Sequence, residues 1–556
     1  MGKSLLFIGL LLGGLFVASN NSLAQSAPPA IFYTDLVSGP NSSGQNSQGT
    51  ILTIYGARFG ATQGSSTVTI GGGQAAAYLA WSDSKISVSI GAAANTGNVV
   101  VATSAGSSNG APFTVRAGSI FCVSPSGNDS ASGAFGSCWQ GLMHAKKSIT
   151  AGSIVYLMNG VSYTAEDSVD PGLRSSFNPD VAGTQSNPVA WIAYPGATVT
   201  IGGSQDIGVR NENNEPFQVF AGITLRAGTI AMDTAHGEGW RVIANDISCP
   251  NGNAPEGCFE SAAIFTSMEH VLGNNVHDVS VNVSAGKQYH AVYFTTDSNH
   301  IDFGWNFIHA NATCRALQFH SSPLSGGTGF NQYDLHVHDN VINGDHCDGI
   351  NFATIDPSKG TVEAYNNVIA NVGLGPDPPD GAANYVCIYF PGTVNTGSAG
   401  SGAALVYNNT FYNCGPHAGP FNGNGAVGRF DGSNPNVTVT MTDNIIEQLP
   451  GEPYLEPSST GITGDHNLFF GAGAPPAGFT NSVNLDALLT NALAGDFSLQ
   501  SLSPAIDAGV NTSAATDIIG IIRPQGKAYD MGAYEFFTGS SVPKPNPPQN
   551  LSVVVK

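Results

Sequence analysis

The sequence has little charge, and most of that charge is negative. Only 10% of its 556 residues are charged, and 18 Lys and Arg stand against 39 Asp and Glu, which gives a formal net charge of −21. Both nucleic acids and anionic membrane surfaces need clustered basic side chains, so we expect neither as a partner. The 70 glycines, together with many Asn, Ser and Thr residues, predict instead an all-β, turn-rich protein with few long helices.

Long apolar runs are absent after the N-terminus. Residues 1–25 have the pattern of a signal peptide: Lys3 supplies the positive start, residues 5–18 the apolar core, and Ser22-Leu23-Ala24 the small-x-small cleavage pattern. The apolar core is too short and wrongly flanked for a transmembrane span, although an uncleaved anchor is the alternative. We therefore predict bacterial-type export to the medium or the cell surface, and a mature chain without a transmembrane segment.

No two cysteines have the CxxC spacing, which argues against a zinc site. The eight cysteines fit an oxidising compartment, where disulfides persist. Cys122 with Cys138, and Cys249 with Cys258, each close a short glycine-rich loop. We predict a disulfide in each of these two loops.

Residues 28–116 have the pattern of a small separate β-sandwich. Short β-type runs separated by turn clusters occur at 51–55, 66–70, 86–90 and 98–101. The stretch LTIYGARFG at 52–60 resembles the signature strand of IPT/TIG immunoglobulin-like domains, and WSDSKI at 81–86 and FTV at 113–115 resemble the same family. The resemblance implies an immunoglobulin fold that serves as a spacer or adhesion module, with a binding role as the alternative.

Two residue types recur along the chain between Ser119 and Phe536. An asparagine followed by apolar residues recurs at Asn245, Asn275, Asn306, Asn340, Asn367, Asn409, Asn444 and Asn467. A phenylalanine ends a short strand at Phe265, Phe294, Phe319, Phe352, Phe390 and Phe430. Because the two columns alternate, each repeat contributes the same two strands, whereas a β-propeller needs four strands per repeat.

Stacking of parallel strands explains both columns. Strands about 4.8 Å apart place equivalent residues of successive repeats above one another. Asn in a left-handed turn conformation can hydrogen-bond to neighbouring coils, and inward Phe rings can fill the coil. The pattern predicts a right-handed parallel β-helix over residues 119–536. Four cysteines at roughly coil-length spacing then stack, bridge coils or are simply buried: Cys314, Cys347, Cys387 and Cys414.

Both ends of the predicted β-helix resemble known caps. The helical stretch around 139–147 resembles the opening of secreted β-helix polysaccharide-degrading enzymes, which implies an N-terminal helical cap. The segment from Ser503 to Glu535 resembles the closing motif of secreted bacterial β-helix proteins, which implies a seal on the last coil. We interpret its acids Asp507, Asp530 and Glu535 as cap hydrogen-bonders. Residues 537–556 are rich in Pro and Ser and form a linker or the start of a further module.

Alignment on the Phe column predicts which side chains leave the coil. With Phe inward, period-2 alternation directs the residues on either side of it outward. Five of these are predicted to bind substrate: Tyr293, Gln318, Asn351, Tyr389 and Arg429. Beyond the Phe the same face carries Thr295, His320 and Asp431.

Three further residues precede successive strands, namely His290, Arg315 and Asp348. An unpaired charge inside an apolar coil is costly, so we expect this position to be a turn that faces solvent. The longest loops, at 321–332, 353–360, 372–384 and 391–403, stand beside this face. A groove of this kind suits a linear polysaccharide, and enzymes of the pectate-lyase-like superfamily, which the β-helix resembles, use a corresponding surface.

The residue types on this face favour β-elimination on a uronate polymer. A base must remove the proton beside the carboxylate, and a cation must offset the charge that develops. The predicted catalytic residues are Lys287, His290, Arg315, His320 and Asp348. Oxygen ligands for Ca²⁺, the one cofactor that we predict, would come from Asp345, Asp348, Asp377 and Asp380.

The sequence leaves two other functions open. Glycoside hydrolysis needs two carboxylates about 5–10 Å apart, and no second acid lines up beside Asp348 in the aligned strands. A non-catalytic polysaccharide-binding or adhesion protein would use the β-helix as a stiff rod. In each case we expect a monomer with a polysaccharide as its partner.

Overall fold

The computed structural model describes residues 27–539 except 169–173, 204–205, 262–266, 322–326, 382, 393–398, 418–422 and 433. The predicted signal peptide and most of the segment 537–556 lie outside the described residues.

The N-terminal part is a sandwich of two sheets. One sheet is antiparallel, in the order Ala30–Thr34, Ile51–Ala57, Lys85–Ser89 and Ala77–Trp81. The other runs in the order Ser38–Gly39, Ala111–Val115, Gly97–Thr103, Thr67–Ile70 and Gly73–Gln74, with Gly106–Ser107 paired to Gly97–Thr103. A 3₁₀ turn spans Gln45–Ser47. Side chains such as Leu52, Val88 and Val101 are fully buried between the sheets, and the predicted immunoglobulin-like sandwich is confirmed.

Three parallel sheets form the β-helix that follows, and each complete coil gives one strand to each of them, whereas coils at the two ends lack strands of sheets II or III. Sheet I comprises Ile120–Val123, Ile154–Leu157, Val189–Ala193, Gln218–Ala221, Arg241–Ile243, Ser267–Leu272, Asn299–Gly304, Leu335–His338, Val362–Tyr365, Gly402–Tyr407, Val437–Thr442, Ile462–Asp465 and Phe479–Thr480. Sheet II comprises Ser162–Tyr163, Thr200–Gly202, Thr224–Arg226, Asp246–Ser248, Asn275–His277, Phe307–His309, Val341–Asn343, Val368–Val372, Thr410–Cys414, Ile445–Glu447 and Leu468–Phe470.

Sheet III comprises Ser175–Phe177, Ile207–Arg210, Ile230–Asp233, Gly257–Ser261, His290–Thr295, Arg315–His320, Asp348–Phe352, Tyr385–Phe390 and Asn424–Arg429. The helix Leu142–Ser148 lies near the first coil and buries Leu142 and Ala145 in the interior cluster. After the last coil come the antiparallel pair Leu489–Asn491 and Asp496–Leu499 and the 3₁₀ turn Ala492–Ala494. The predicted parallel β-helix is confirmed.

The asparagine column is a hydrogen-bond ladder at the corner between sheets I and II. Each side-chain Nδ2 donates to the Oδ1 of the Asn one coil further on, at 2.9 to 3.1 Å, through Asn245, Asn274, Asn306, Asn340, Asn367, Asn409, Asn444 and Asn467. Asn275 was therefore the wrong member, since it begins a strand of sheet II and donates to Asp246. The left-handed conformation was also misplaced, because it falls on the preceding residue, as at Ala244 and Trp305.

The phenylalanine column is confirmed in its centre, and its register is wrong at both ends. Phe294, Phe319, Phe352 and Phe390 stack in sequence with ring centroids 5.1 to 5.3 Å apart. Phe265 lies outside the described residues, and the strand of that coil is Gly257–Ser261, which places Ser261 beside Phe294. At the other end Arg429, not Phe430, pairs with Phe390.

Four disulfides fasten the solenoid. Cys122–Cys138 and Cys249–Cys258 are confirmed. The open question about the other four cysteines is answered, because Cys314–Cys347 and Cys387–Cys414 each bridge neighbouring coils. Four disulfides are typical of proteins that fold in an oxidising compartment.

The sandwich packs on the outer face of sheet I and does not stand apart from the β-helix. The Tyr156 hydroxyl donates to the carbonyl of Ile51 and accepts from its N–H, both at 2.8 Å. The guanidinium of Arg241 donates to the carbonyl of Thr34 at 2.9 Å, and the ring of Trp305 stacks on Phe32. Apolar side chains of the two parts form one buried cluster.

Residues 503–536, which we call the C-terminal strap, run back along the flank of the β-helix. Asn366 donates to the carbonyl of Thr516 at 2.7 Å and Asn408 to that of Asp530 at 3.2 Å. The strap therefore covers not only the last coil, as the expected seal would, but also several coils that precede it. It also reaches the sandwich, where Arg58 donates to the carbonyls of Ile519 and Gly520 at 2.7 and 2.8 Å.

Three of the four acids in the strap, Asp507, Asp530 and Glu535, hold its loops together. Asp507 accepts from the backbone of Ala528, Asp530 from that of Phe536, and Glu535 from that of Gln525. These carboxylates hold the strap in shape through backbone hydrogen bonds, as their interpretation as cap hydrogen-bonders implies.

Candidate functional site

The outer face of sheet III carries polar residues of successive coils in register. One column, at the head of the strands, is Gly257, His290, Arg315 and Asp348. A second column is Asp233, Glu260, Tyr293, Gln318, Asn351, Tyr389 and Gly428. We use the name polar stack for Glu260, His290, Tyr293, Arg315, Gln318, His320, Asp348, Asn351 and Tyr389.

Local alternation explains the direction of these side chains. Val292 and Phe294 point into the core, so that Tyr293 between them points outward. The ring of His290 stacks on that of Tyr293 with centroids 4.5 Å apart, and Asn351 bonds to Asp348. The head-of-strand residues thus share the outer face with the second column, although they begin strands and do not form the solvent-facing turn that we expected.

Asp348 is fully buried, and Arg315 on the preceding coil is its counter-ion. The Nε of Arg315 lies 3.3 Å from Oδ2 of Asp348, and Asn351 donates to the same oxygen at 2.8 Å. Burial raises the pKa of Asp348 to about 6, against the lowering effect of the Arg315 charge. Arg315 is half-buried and reaches the opening of the site.

His290 is a neutral, fixed side chain. Its Nδ1 donates to the carbonyl of Glu256 at 3.2 Å, which leaves Nε2 as an acceptor 3.4 Å from Nη1 of Arg315. Burial, and next the Arg315 charge, lower the pKa of His290 to about 3. These contacts allow His290 to hold the side chains of Arg315 and Tyr293 in their orientations.

Tyr293 and His320 form a hydrogen-bonded pair at the half-buried opening of the polar stack. The Tyr293 hydroxyl lies 3.3 Å from Nδ1 of His320. Burial, and next the Arg315 charge, lower the pKa of His320 to about 4, while burial raises the pKa of Tyr293 to about 12. At neutral pH the phenol is protonated and the imidazole is uncharged. In the tautomer that leaves Nδ1 of His320 without a proton the phenol donates to it, which is the arrangement of a two-step proton relay.

The polar stack is deeper than the open groove expected from the sequence. His290, Gln318, Asp348, Asn351 and Tyr389 are buried, whereas Tyr293, Arg315 and His320 are half-buried. Parts of the loops 321–332, 372–384 and 391–403 lie outside the described residues. Among the described residues of the polar stack, those that reach solvent thus lie on two adjacent coils.

Lys287 contacts the polar stack through its backbone, and its catalytic role stays a prediction, whereas Arg429 does not take the place expected for it. Lys287 contributes its backbone, since its carbonyl accepts from Arg315 at 2.6 Å and its N–H donates to Asp380 at 2.9 Å. The substrate-binding role of Arg429 is corrected, because its side chain is buried in register with Phe390. Its guanidinium donates to the carbonyls of Val437 and Thr460, which satisfies the buried charge.

The structure does not bring the four predicted calcium ligands together. Asp348 pairs with Arg315, Asp380 accepts from the backbone of Lys287, and Asp377 accepts from the hydroxyl of Tyr385. Asp345 is buried, and burial raises its pKa to about 7. Within the described ranges no group of three or more His, Cys, Asp or Glu could hold a metal ion. Calcium binding stays a prediction.

A cavity of about 370 Å³ lies beside the Cys314–Cys347 disulfide. Its lining includes Val283, His346, Pro376 and Asp377. None of the predicted catalytic residues is among the described residues that line it, so the candidate chemistry belongs to the polar stack and not to this cavity.

Two glutamates at the N-terminal end of the polar stack were not predicted from the sequence. The carboxyl of Glu260 hydrogen-bonds to that of Glu256, and burial together with this neighbour raises the pKa of Glu260 well above its usual range. Glu260 thus keeps its proton to a higher pH than a free glutamate. Alignment on Phe265 had assigned residues 262–265 to this coil, whereas the inward Phe259 followed by the polar Glu260 was the available signal.

Residues 37–115 match the family model described as "IPT/TIG domain". The N-terminal sandwich is an IPT/TIG domain. The family resemblance read from its strands is confirmed, and this domain packs on the N-terminal coils of sheet I.

Several solved structures are similar to the chain. A pectate lyase, Pel9A, is 14% identical, with 75% of this chain and 96% of that chain covered and a TM-score of 0.47. A rhamnogalacturonan lyase is 12% identical over 74% and 95% of the two chains, with a TM-score of 0.34. A GH136 lacto-N-biosidase from Eubacterium ramulus is 13% identical over 66% and 65%, with a TM-score of 0.35. At these identities the likeness concerns the fold alone.

No curated protein matches the chain significantly in sequence. In the part of the chain that the structure describes, no helix is long and apolar enough to cross a membrane.

Proposed function

We propose that this protein is an exported polysaccharide lyase that cleaves a uronate-containing polymer by β-elimination at the polar stack. The observation that carries the proposal is the hydrogen bond from Tyr293 to the uncharged imidazole of His320, with Arg315 at the same opening. The half-buried guanidinium supplies the cation, and the pair supplies the proton acceptor, that elimination requires.

In the proposed mechanism the uronate carboxylate binds Arg315. Tyr293 takes the proton on the carbon beside that carboxylate as it hands its own hydroxyl proton to Nδ1 of His320. The electron pair of the broken C–H bond forms a carbon–carbon double bond and expels the glycosidic oxygen on the next carbon. His320 returns its proton through Tyr293 to the departing oxygen, so that the enzyme ends in its starting state.

Asp348, Asn351 and His290 would act as positioning residues in this scheme. Asp348 and the carbonyl of Lys287 fix the guanidinium from two sides, at 3.3 and 2.6 Å. The ring of His290 supports Tyr293, and Oδ1 of Asn351 is buried without a hydrogen-bond partner among the described residues. Gln318 and Tyr389 belong to the same column and are proposed to contact substrate.

A second candidate function is glycoside hydrolysis, which the Glu256–Glu260 pair favours. A carboxyl that retains its proton beside another carboxyl can protonate a leaving oxygen. Asp233 is in register with Glu260 on the preceding coil and supplies a further acid.

Incubation with polygalacturonate, alginate and glucuronoxylan separates the candidates. Elimination predicts new ultraviolet absorbance from unsaturated ends, and each polymer should be tested with added Ca²⁺ and with EDTA. Reducing ends that appear without this absorbance would favour hydrolysis instead. Polymer binding without any product would reject both and leave the non-catalytic adhesion function.

A further inference from the structure

Phe430 presents an exposed aromatic ring at the far end of sheet III. Its residue surface is 52% exposed, and among Phe, Tyr and Trp it is the one exposed residue in the described ranges. A Phe side chain is usually buried in a folded domain. An exposed aromatic ring can pack on the apolar face of a sugar, so the position of this ring on the molecule decides whether it is a candidate contact site.

The backbone places this ring on the same face as the polar stack. The N–H of Phe430 donates to the carbonyl of Phe390 at 3.0 Å, which continues the pairing of sheet III past Arg429. Arg429 occupies the inward position, so the next residue faces outward, as His320 does after the inward Phe319. Three strand spacings of about 4.8 Å put Phe430 roughly 14 Å from His320 along the solenoid.

A fixed carboxylate belongs to the residue that follows Phe430 in the chain. Asp431 has a side chain that is 56% exposed, and it is held by the guanidinium of Arg429 and by the hydroxyl of Thr460. The Arg429 side chain itself is only 3% exposed, so it cannot meet an incoming carboxylate. What the surface offers near Phe430 is therefore the exposed carboxylate end of the Arg429–Asp431 ion pair, which can accept hydrogen bonds.

We propose that Phe430 is a stacking platform for a neutral sugar ring of the polymer, three coils from the Arg315 opening. This inference rests on the proposed function, because it extends the path of the same polymer. A sugar ring has an apolar C–H face that packs on an aromatic ring, and hydroxyls that can donate to Asp431. A uronate at this position would bring its charge towards Asp431, and like charges repel.

The substrate class that follows is a heteropolymer in which uronate and neutral sugars share one chain. The uronate is bound at Arg315, and a neutral residue is bound at Phe430. A pure polyuronate would have to place a carboxylate beside Asp431 and is expected to bind more weakly.

The test compares Phe430→Ala, Phe430→Trp and the control Leu493→Ala, whose side chain is exposed on the turn after the last coil. The probes are size-fractionated rhamnogalacturonan backbone fragments, which alternate uronate and neutral sugar, and polygalacturonate fragments. For long rhamnogalacturonan fragments Phe430→Ala should raise KM about fivefold, which corresponds to about 1 kcal/mol of ring stacking. The effect should shrink as the fragments become shorter, and Phe430→Trp should retain wild-type KM.

An unchanged KM of Phe430→Ala at every fragment length would overturn the inference while leaving the lyase proposal intact. In Asp431→Asn, a fall in KM for polygalacturonate would support the predicted preference for a neutral sugar at Phe430, and an unchanged KM would refute that preference.

If the wild-type protein cleaves neither polymer, the proposed function fails. Retardation in polysaccharide-containing native gels then tests whether Phe430 binds the polymer. Weaker retardation of Phe430→Ala than of Leu493→Ala supports the platform. Equal retardation, or none, overturns it.

Discussion

Arg315 and Asp348 form an ion pair between adjacent coils in which the acid is fully buried and the base reaches the surface. Their side chains are 17% and 0% exposed, and the Nε–Oδ2 distance is 3.3 Å. One guanidinium therefore has two tasks, because it compensates a buried carboxylate and presents a cation at the opening of the polar stack. Substitutions at this pair should therefore change both the stability of the fold and the activity.

Replacement of Arg315 by Ala should abolish turnover and destabilise the protein. Removal of one partner of a buried pair leaves an uncompensated charge and costs about 3 kcal/mol in the free energy of unfolding. The double variant Arg315→Ala/Asp348→Asn should recover most of this stability without recovering activity. Thermal unfolding and turnover of the three proteins test this expectation, and a double variant as unstable as Arg315→Ala would contradict it.

Tyr293→Phe should reduce turnover by roughly 10²–10⁴-fold, the range typical of a lost proton-transfer group. The ring that stacks on His290 is kept, so the melting temperature should change little. Tyr333→Phe, which alters a tyrosine outside the polar stack, is the matched control. Wild-type turnover in Tyr293→Phe would exclude the relay.

The acid limb of activity should lie near pH 4. Because the pKa of His320 is lowered from 6.5 to about 4, the imidazole is uncharged, and able to accept a proton, above about pH 4. In Asp348→Asn, which removes the titration of the acid that orients Arg315, the kcat/KM profile should therefore rise between about pH 3 and 5 and be flat across pH 6.5. An acid limb at pH 6.5 in this variant would show that His320 is not the acceptor.

His338 should make stability depend on pH on the alkaline side. This buried ring lies 2.8 Å from Asp302 and 2.8 Å from Asp339, and these contacts outweigh burial and raise its pKa to about 10. The stabilisation that protonated His338 gives the folded state is complete below pH 6.5, which is the pKa of a His in the unfolded chain. It is lost as pH rises through about 10 and amounts to at most about 5 kcal/mol in the free energy of unfolding.

The variant His338→Gln removes this contribution. Its deficit in melting temperature against wild type should be large at pH 6 and small at pH 10. His144→Gln, on the N-terminal helix, is the control. A deficit that does not change with pH would mean that His338 stabilises by packing alone.

The asparagine ladder should be far more sensitive than its immediate neighbours. In Asn340→Ala the bonds to Asn367 and to the carbonyl of Phe303 are lost in a buried corner, which should cost about 2–3 kcal/mol. Asn275→Ala, off the ladder and half-buried, should cost less than about 1 kcal/mol. Denaturant unfolding of both variants tests the assignment, and equal losses would refute it.

The sequence was informative where stacking fixes the register and misleading where it does not. Alignment on Phe294, Phe319 and Phe352 was correct because their rings pack face to face, and it placed His290, Arg315 and Asp348 side by side. Where the stack ends, a slip of one residue reverses the direction of a side chain. That slip put Arg429 on the outside, and a slip of four residues hid Glu260.

Packing between parts of the chain was beyond prediction for a different reason. The outer face of sheet I is apolar where the sandwich covers it, as at Ile154 and Ile192. From the sequence such strands are predicted to be buried on both faces, but the sequence does not indicate which part of the chain covers them. The hydrogen bond between the carboxyls of Glu256 and Glu260 likewise depends on distances that no sequence pattern specifies.

The contact of Arg58 with the strap also has a mechanical consequence. Ala27 and Phe536, near the two limits of the described chain, pack in one cluster on the flank of the β-helix. A force that pulls on these two points would act first on the contact between Arg58 and the strap. The coils could unwind from neither end until this contact opened, so the molecule should extend in one abrupt rupture followed by coil-by-coil release.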